Sequence, residues 1–202
     1  MELMEAVSWG PHAMQATVVT VMGLGLAATC GLRAFLPLLV INLLALTGFV
    51  ELGEGYAFMA HWTATLAFAT ATIAEFAADK FPGFDHTMDA AGTVLRPTAA
   101  AVAASSMIAH FDPLAGVILG LIGGAAVAAG VQLAKAKVRV ATTAVTGGLG
   151  NWVVSLVEDA VTVTSVTIAV LAPFLFIGAA AALLGAITVF IGWRRQRRVV
   201  AA

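Results

Sequence analysis

From Ala16 to Val50 the chain runs through 35 residues with a single charged side chain, Arg33. A soluble domain has no use for such a run, because about twenty apolar residues in a helix already match the 30 Å hydrocarbon core of a bilayer. Comparable runs recur to the C-terminus, so that mean hydropathy is +1.00 and only 10% of residues are charged. Backbone groups in lipid must be satisfied within the chain, and the two-residue alternation of barrel strands is missing, so these runs are expected to be helices. The sequence therefore predicts an all-α polytopic membrane protein: a single transmembrane domain over residues 1–202, a bundle of about six or seven helices.

The apolar runs place spans near 13–30, 34–50, 57–78, 88–110, 113–134, 149–171 and 173–193. If the chain crosses at each, Lys80, Lys135, Lys137, Arg139 and the basic tail 194–202 with its "RRQRR" fall on one side. The positive-inside rule makes that side the cytoplasm and puts the N-terminus outside. Glu51, Glu54 and Asp112 then occupy outer loops, Trp9 and Trp62 the outer interface, and Trp152 and Trp193 the inner one. The opening "MELMEAVSWG" has no basic residue before its apolar run, unlike a secretory signal, so the first segment is expected to remain in the mature protein. The single cysteine, Cys30, excludes an intrachain disulfide.

Two places resist a simple reading. Gly31 and Pro37 bracket Arg33, which leaves residues 16–50 as a tight pair of spans, a re-entrant pair of half-helices or one long kinked helix. Residues 138–151, with "TGGLGN", leave room for a second re-entrant element. An inverted repeat would pair 13–110 with 113–193, since "IAEFAADK" and "VSLVEDAV" each set acids in an apolar helix downstream of basic residues.

Charge is concentrated in "EFAADKFPGFDHTMD", residues 75–89. Glu75 and Asp79 are four apart, as are Asp85 and Asp89, so each pair shares a helix face, and "FPGF" between them predicts a turn that folds the two faces together. Arg96 lies seven residues beyond Asp89, which makes Asp89 its expected partner, and His110 is expected near the same stripe. Deeper in the chain, Glu158 and Asp159 sit in "SLVEDAVTVTS", with Ser155 and Thr162 on the Glu158 face. Two adjacent carboxylates at such depth must face the bundle interior, hold a proton or pair with Arg33 or Arg96. The candidate substrate- or ion-binding residues are thus Glu75, Asp79, Asp85, Asp89, Glu158 and Asp159, with Arg33 and Arg96 as counter-charges. Glu75, Asp79, Asp89 and Glu158 are the candidates for a bound divalent cation. The plainer reading of residues 75–89 is a salt-bridged loop that fixes topology. Gly116, Gly120, Gly124 and Ala128 form a small-residue row expected to pack helices, inside the subunit or across a homodimer.

Metalloprotease, nucleophile-elbow and Walker A motifs are absent, and nothing predicts an enzyme or a cofactor. The Asp85–Asp89 spacing is similar to that of membrane CDP-alcohol phosphotransferases, but the D-G and A-R elements those enzymes place upstream are missing. At "GLRAFLPLL", "EFAADKFPGFDHTMDAAGTVLRPTAAA", "KAKVR" and "NWVVSLVED" the chain resembles a bacterial membrane family catalogued as domain of unknown function 4126. The resemblance implies a small helical inner-membrane protein and no particular activity. "EFAADK" is also loosely similar to the E-x-G-D-K signature of calcium and manganese exchangers, with one extra residue and Ala for Gly. The expected function is a small transporter of a cation with proton coupling through the buried carboxylates. Two alternatives stay open: an anionic lipid or phosphate-bearing solute held by Arg33 and Arg96, and a non-transporting scaffold. The expected partners are the lipid bilayer and a small ion or solute, with no nucleic acid.

Overall fold

A buried turn breaks the first apolar run. The computed structural model describes the backbone of residues 2–78, 84–147 and 150–200, and the side chains of 12–78, 90–147 and most of 150–190. In it α1 (Glu2–Cys30) is followed by α2 (Phe35–Leu46), a 3₁₀ turn (Glu54–Ala60), α3 (Trp62–Ala78) and α4 (Phe84–Ile108). Then α5 (Pro113–Ile118) passes through a π-helical turn (Leu119–Gly124) into α6 (Ala125–Thr146), and α7 (Asn151–Leu171) and α8 (Pro173–Val200) complete the chain. The described residues contain no strand. Three helical stretches, His12–Cys30, Pro113–Thr146 and Val153–Leu171, are long and apolar enough to cross a bilayer.

The break between α1 and α2 rules out one long kinked helix over 16–50. At the break, the Gly31 backbone touches α6 so closely that a Cβ there would meet the Val131 Cβ at 2.6 Å and the Ala128 carbonyl at 2.7 Å. Pro37 falls in the first turn of α2, where a missing N–H has no helical acceptor to lose. At twelve residues α2 is about 18 Å long, roughly half of a full crossing.

Residues 138–151 differ from the re-entrant expectation as well. There α6 continues unbroken to Thr146, with Thr142 and Thr146 each donating to the carbonyl four residues back. It closes at Gly147 in the left-handed region, φ 62°, a conformation that costs glycine little. Before α5, Asp112 caps the helix, its Oδ1 accepting from the Leu114 and Ala115 N–H groups at 2.9 and 3.0 Å, with Pro113 at the first helical position.

The core is the seam between α1 and α4, where Met22, Leu26, Ala27 and Cys30 meet an alanine-rich face ending at Met107. The glycine row packs inside the subunit, onto that same helix. A Cβ on Gly120 would collide with the Ser105 hydroxyl, and one on Gly124 would stand 2.9 Å from the Ala100 carbonyl and 3.3 Å from the Ala27 Cβ. Outward faces are apolar: Val145, Leu171 and Val189 are all largely exposed, while Arg33, Arg96, Arg139, Glu75 and Glu158 are inside. This inversion of the soluble pattern identifies a membrane protein.

Candidate functional site

The acidic pair on α7 meets basic residues that the sequence pattern had assigned to a cytoplasmic loop. Lys135 and Arg139 lie within α6 and are 4% and 5% exposed. Gln132, Lys135 and Arg139 form one stripe at spacings of three and four, while Lys137 points the other way and is exposed. That stripe faces Glu158: Arg139 Nη2 donates to Glu158 Oε2 at 2.8 Å, and Lys135 Nζ stands 3.0 Å from the same oxygen. Lys135 also reaches the Leu32 carbonyl at 3.4 Å, tying α6 to the turn after α1. Thr162 donates to the Glu158 carbonyl, and Ser155, Glu158 and Thr162 are buried together, the face their spacing predicts. Asp159 pairs with Arg33.

Arg33 is fully buried and joins the α1–α2 turn to α3 and α7. It donates to the Glu75 carbonyl at 3.1 Å, pairs with Asp159, and its guanidinium carbon lies 4.7 Å above the Phe76 ring. The Glu75 carboxylate is folded onto the start of α2, where it accepts from the Ala34 N–H at 3.0 Å and the Phe35 N–H at 3.3 Å. A carboxylate at a helix N-terminus satisfies orphan donors and meets the positive end of the helix dipole. Arg96 stands on its other side, Nε 3.9 Å from Oε1, and passes through Nη1 to Gln132 on α6. Glycine at position 92 makes this possible, because a Cβ there would lie 2.9 Å from the guanidinium carbon of Arg96.

Among the described side chains the cluster gathers four cations, Arg33, Arg96, Lys135 and Arg139, with three carboxylates, Glu75, Glu158 and Asp159. Arg96 is twelve residues from either end of α4, about 18 Å each way, so the cluster sits well inside the helical layer. Beside it is a cavity of about 290 Å³ between α3 and α4. Its walls are small, Ala71, Ala74 and Ala78 of α3 facing Gly92 and Leu95 of α4, and Glu75 and Arg96 provide its charge. Two helices meeting through alanine and glycine leave that volume unfilled.

The model of a family described as a domain of unknown function, DUF4126, matches residues 20–193. The chain belongs to that family. The match includes every member of the cluster from Arg33 to Asp159, so the charged core is part of what the DUF4126 region spans. Neither a curated protein nor a solved structure matches the chain.

Of the eight residues singled out in this DUF4126 chain, Arg33, Glu75, Arg96, Glu158 and Asp159 share the cluster. Asp79 lies outside the described residues, and Asp85 and Asp89 are in α4 with side chains outside the description. The described partners of Arg96 are Glu75 and Gln132. His110 lies just past the end of α4, 3.3 Å from Glu51 and about 20 Å along the helix direction from Arg96, away from the cluster. No three His, Cys, Asp or Glu side chains converge as a metal site among the described residues. Lys135 and Arg139 were counted as residues outside the spans and Gln132 was not singled out; the spacing of three and four that joins them was the signal.

Proposed function

We propose that this protein is a small multi-pass carrier that binds an anionic, phosphate-bearing ligand beside Arg96. One observation carries the reading: Glu75, itself an anion, already occupies the α2 N-terminus next to Arg96, on the wall of a 290 Å³ cavity. A ligand phosphate would take over the donors that Glu75 holds at the start of α2. Glu158 and Asp159 are engaged by Lys135, Arg139 and Arg33, and they serve as the counter-charges that keep those cations in the interior. In this reading α2 and its flanking turns complete one of seven passages through the inner membrane, which leaves the N-terminus outside and the basic tail cytoplasmic. Each acidic helix engages the basic tract upstream of it, Glu75 with the Arg33 turn and Glu158 with Lys135 and Arg139, which favours two related halves.

The second reading, a cation carrier with proton coupling, draws on Glu75 lining the same cavity. Glu75→Gln separates the two. It removes a competing negative charge, so anionic lipid retained through purification should rise under the first reading. Arg96→Gln should lower it, the loss of one charge-assisted contact being worth roughly 10- to 150-fold in affinity. Unchanged anionic lipid in Arg96→Gln, together with manganese uptake into proteoliposomes that Glu75→Gln abolishes, would establish the second reading instead.

A further inference from the structure

The cavity beside Arg96 has an apolar mouth. Ala74 on α3 lines it and is exposed, and Leu95 on α4 lines it and is 44% exposed. The residues preceding these in sequence, Ile73 and Val94, are 69% and 68% exposed. Among the described residues, the exposed side chains that line this mouth are Ala74 and Leu95, both apolar, where a mouth to water would carry polar ones. The charge lies at the closed end: Arg96 is 1% exposed and Glu75 is 7% exposed. The polarity therefore runs from hydrocarbon at the rim to an ion pair at the floor, over the width of one helix.

Resting on the anion-binding reading, we infer that the ligand is an anionic phospholipid that enters sideways from the bilayer between α3 and α4. Its phosphate passes the Ala74–Leu95 gap to reach Arg96 and the donors at the start of α2, while its acyl chains stay in the membrane against Ile73 and Val94. The volume suits this division, since about 290 Å³ is at the small end of ligand sites and holds a headgroup without its chains. The wall explains its own composition: larger residues at 71, 74, 78 and 92 would fill the path. The apolar rim distinguishes a lipid from free phosphate, which would have to cross hydrocarbon to use this entrance.

The test uses the full chain in nanodiscs containing spin-labelled phosphatidylglycerol, with spin-labelled phosphatidylcholine as reference, and reads the immobilised fraction of each. The wild type should immobilise phosphatidylglycerol in excess. Ala74→Trp and Leu95→Trp, which narrow the mouth at exposed positions, should bring that excess down to the phosphatidylcholine level, at least a fivefold loss. Val145→Trp, on the exposed face of α6 and away from the lining, should leave it intact. Arg96→Gln should also abolish the excess. If Arg96→Gln abolishes it and both mouth variants keep it, anion binding stands and the lateral entrance is refuted. If Arg96→Gln leaves it unchanged, the anion-binding reading itself fails. Wild-type immobilisation equal for the two lipids, with inorganic phosphate bound from solution, would assign the site to a water-borne anion and overturn the inference.

Discussion

Glu158→Gln is the sharpest probe of how the interior is held together. The carboxylate receives Arg139 at 2.8 Å and Lys135 at 3.0 Å, and the three side chains are almost wholly buried. A glutamine keeps the shape and one acceptor oxygen but removes the charge, leaving two buried cations with one counter-charge fewer. Breaking a buried pair by removing one partner costs about 3–5 kcal/mol, because the other charge stays desolvated. For a chain of this size each kcal/mol moves the melting midpoint by about 2–4 °C, so a fall of about 6–20 °C is expected. Thermal unfolding in detergent, followed by size-exclusion chromatography of heated samples, measures it. A built-in control comes from the second charge: Lys135→Gln in the Glu158→Gln background removes one stranded cation and should recover part of the loss. A Glu158→Gln protein melting within about 1 °C of the wild type would refute the argument, as would a double variant less stable than the sum of the singles.

Two further outcomes test the packing. Gly124→Leu should destabilise by more than about 2 kcal/mol, since its side chain enters a space bounded by the Ala100 carbonyl and the Ala27 Cβ, and the same detergent assay reads it. Asn42→Leu removes the donor to the Met59 and His61 carbonyls and the acceptor for Thr65; a loss of about 1–3 kcal/mol is expected, with faster amide exchange across 54–60.

Helical class and membrane residence were legible in the sequence because apolar run length answers directly to bilayer thickness. The burial of Glu158 and Ser155 was legible too, for carboxylates seven residues into a helix, about 10 Å, have few places to go. The limits of that reading are equally physical. Basic residues near the end of an apolar run look like topology signals, so Lys135 and Arg139 were taken for a loop, although only Lys137 among them faces outward. Pro37 looked like the helix breaker, whereas it lies in the first turn of α2 and the break precedes it, at the closely packed Gly31. Which cation faces which carboxylate is tertiary information: Asp159 had Arg33 and Arg96 as equal candidates until the turn after α1 was placed against α7.

The pairing of Arg33 with Asp159 also bears on how the protein is made. The two residues are 126 positions apart, so at a synthesis rate of 5–20 residues per second the arginine exists for about 6–25 s before its carboxylate partner is translated. During that wait the α1–α2 hairpin carries a cation that lipid will not accept, and it must be sheltered by the insertion machinery or by the nascent α3 and α4. Biogenesis of this small protein is therefore a delayed closure, in which the sixth apolar segment released by the ribosome locks a turn made near the beginning.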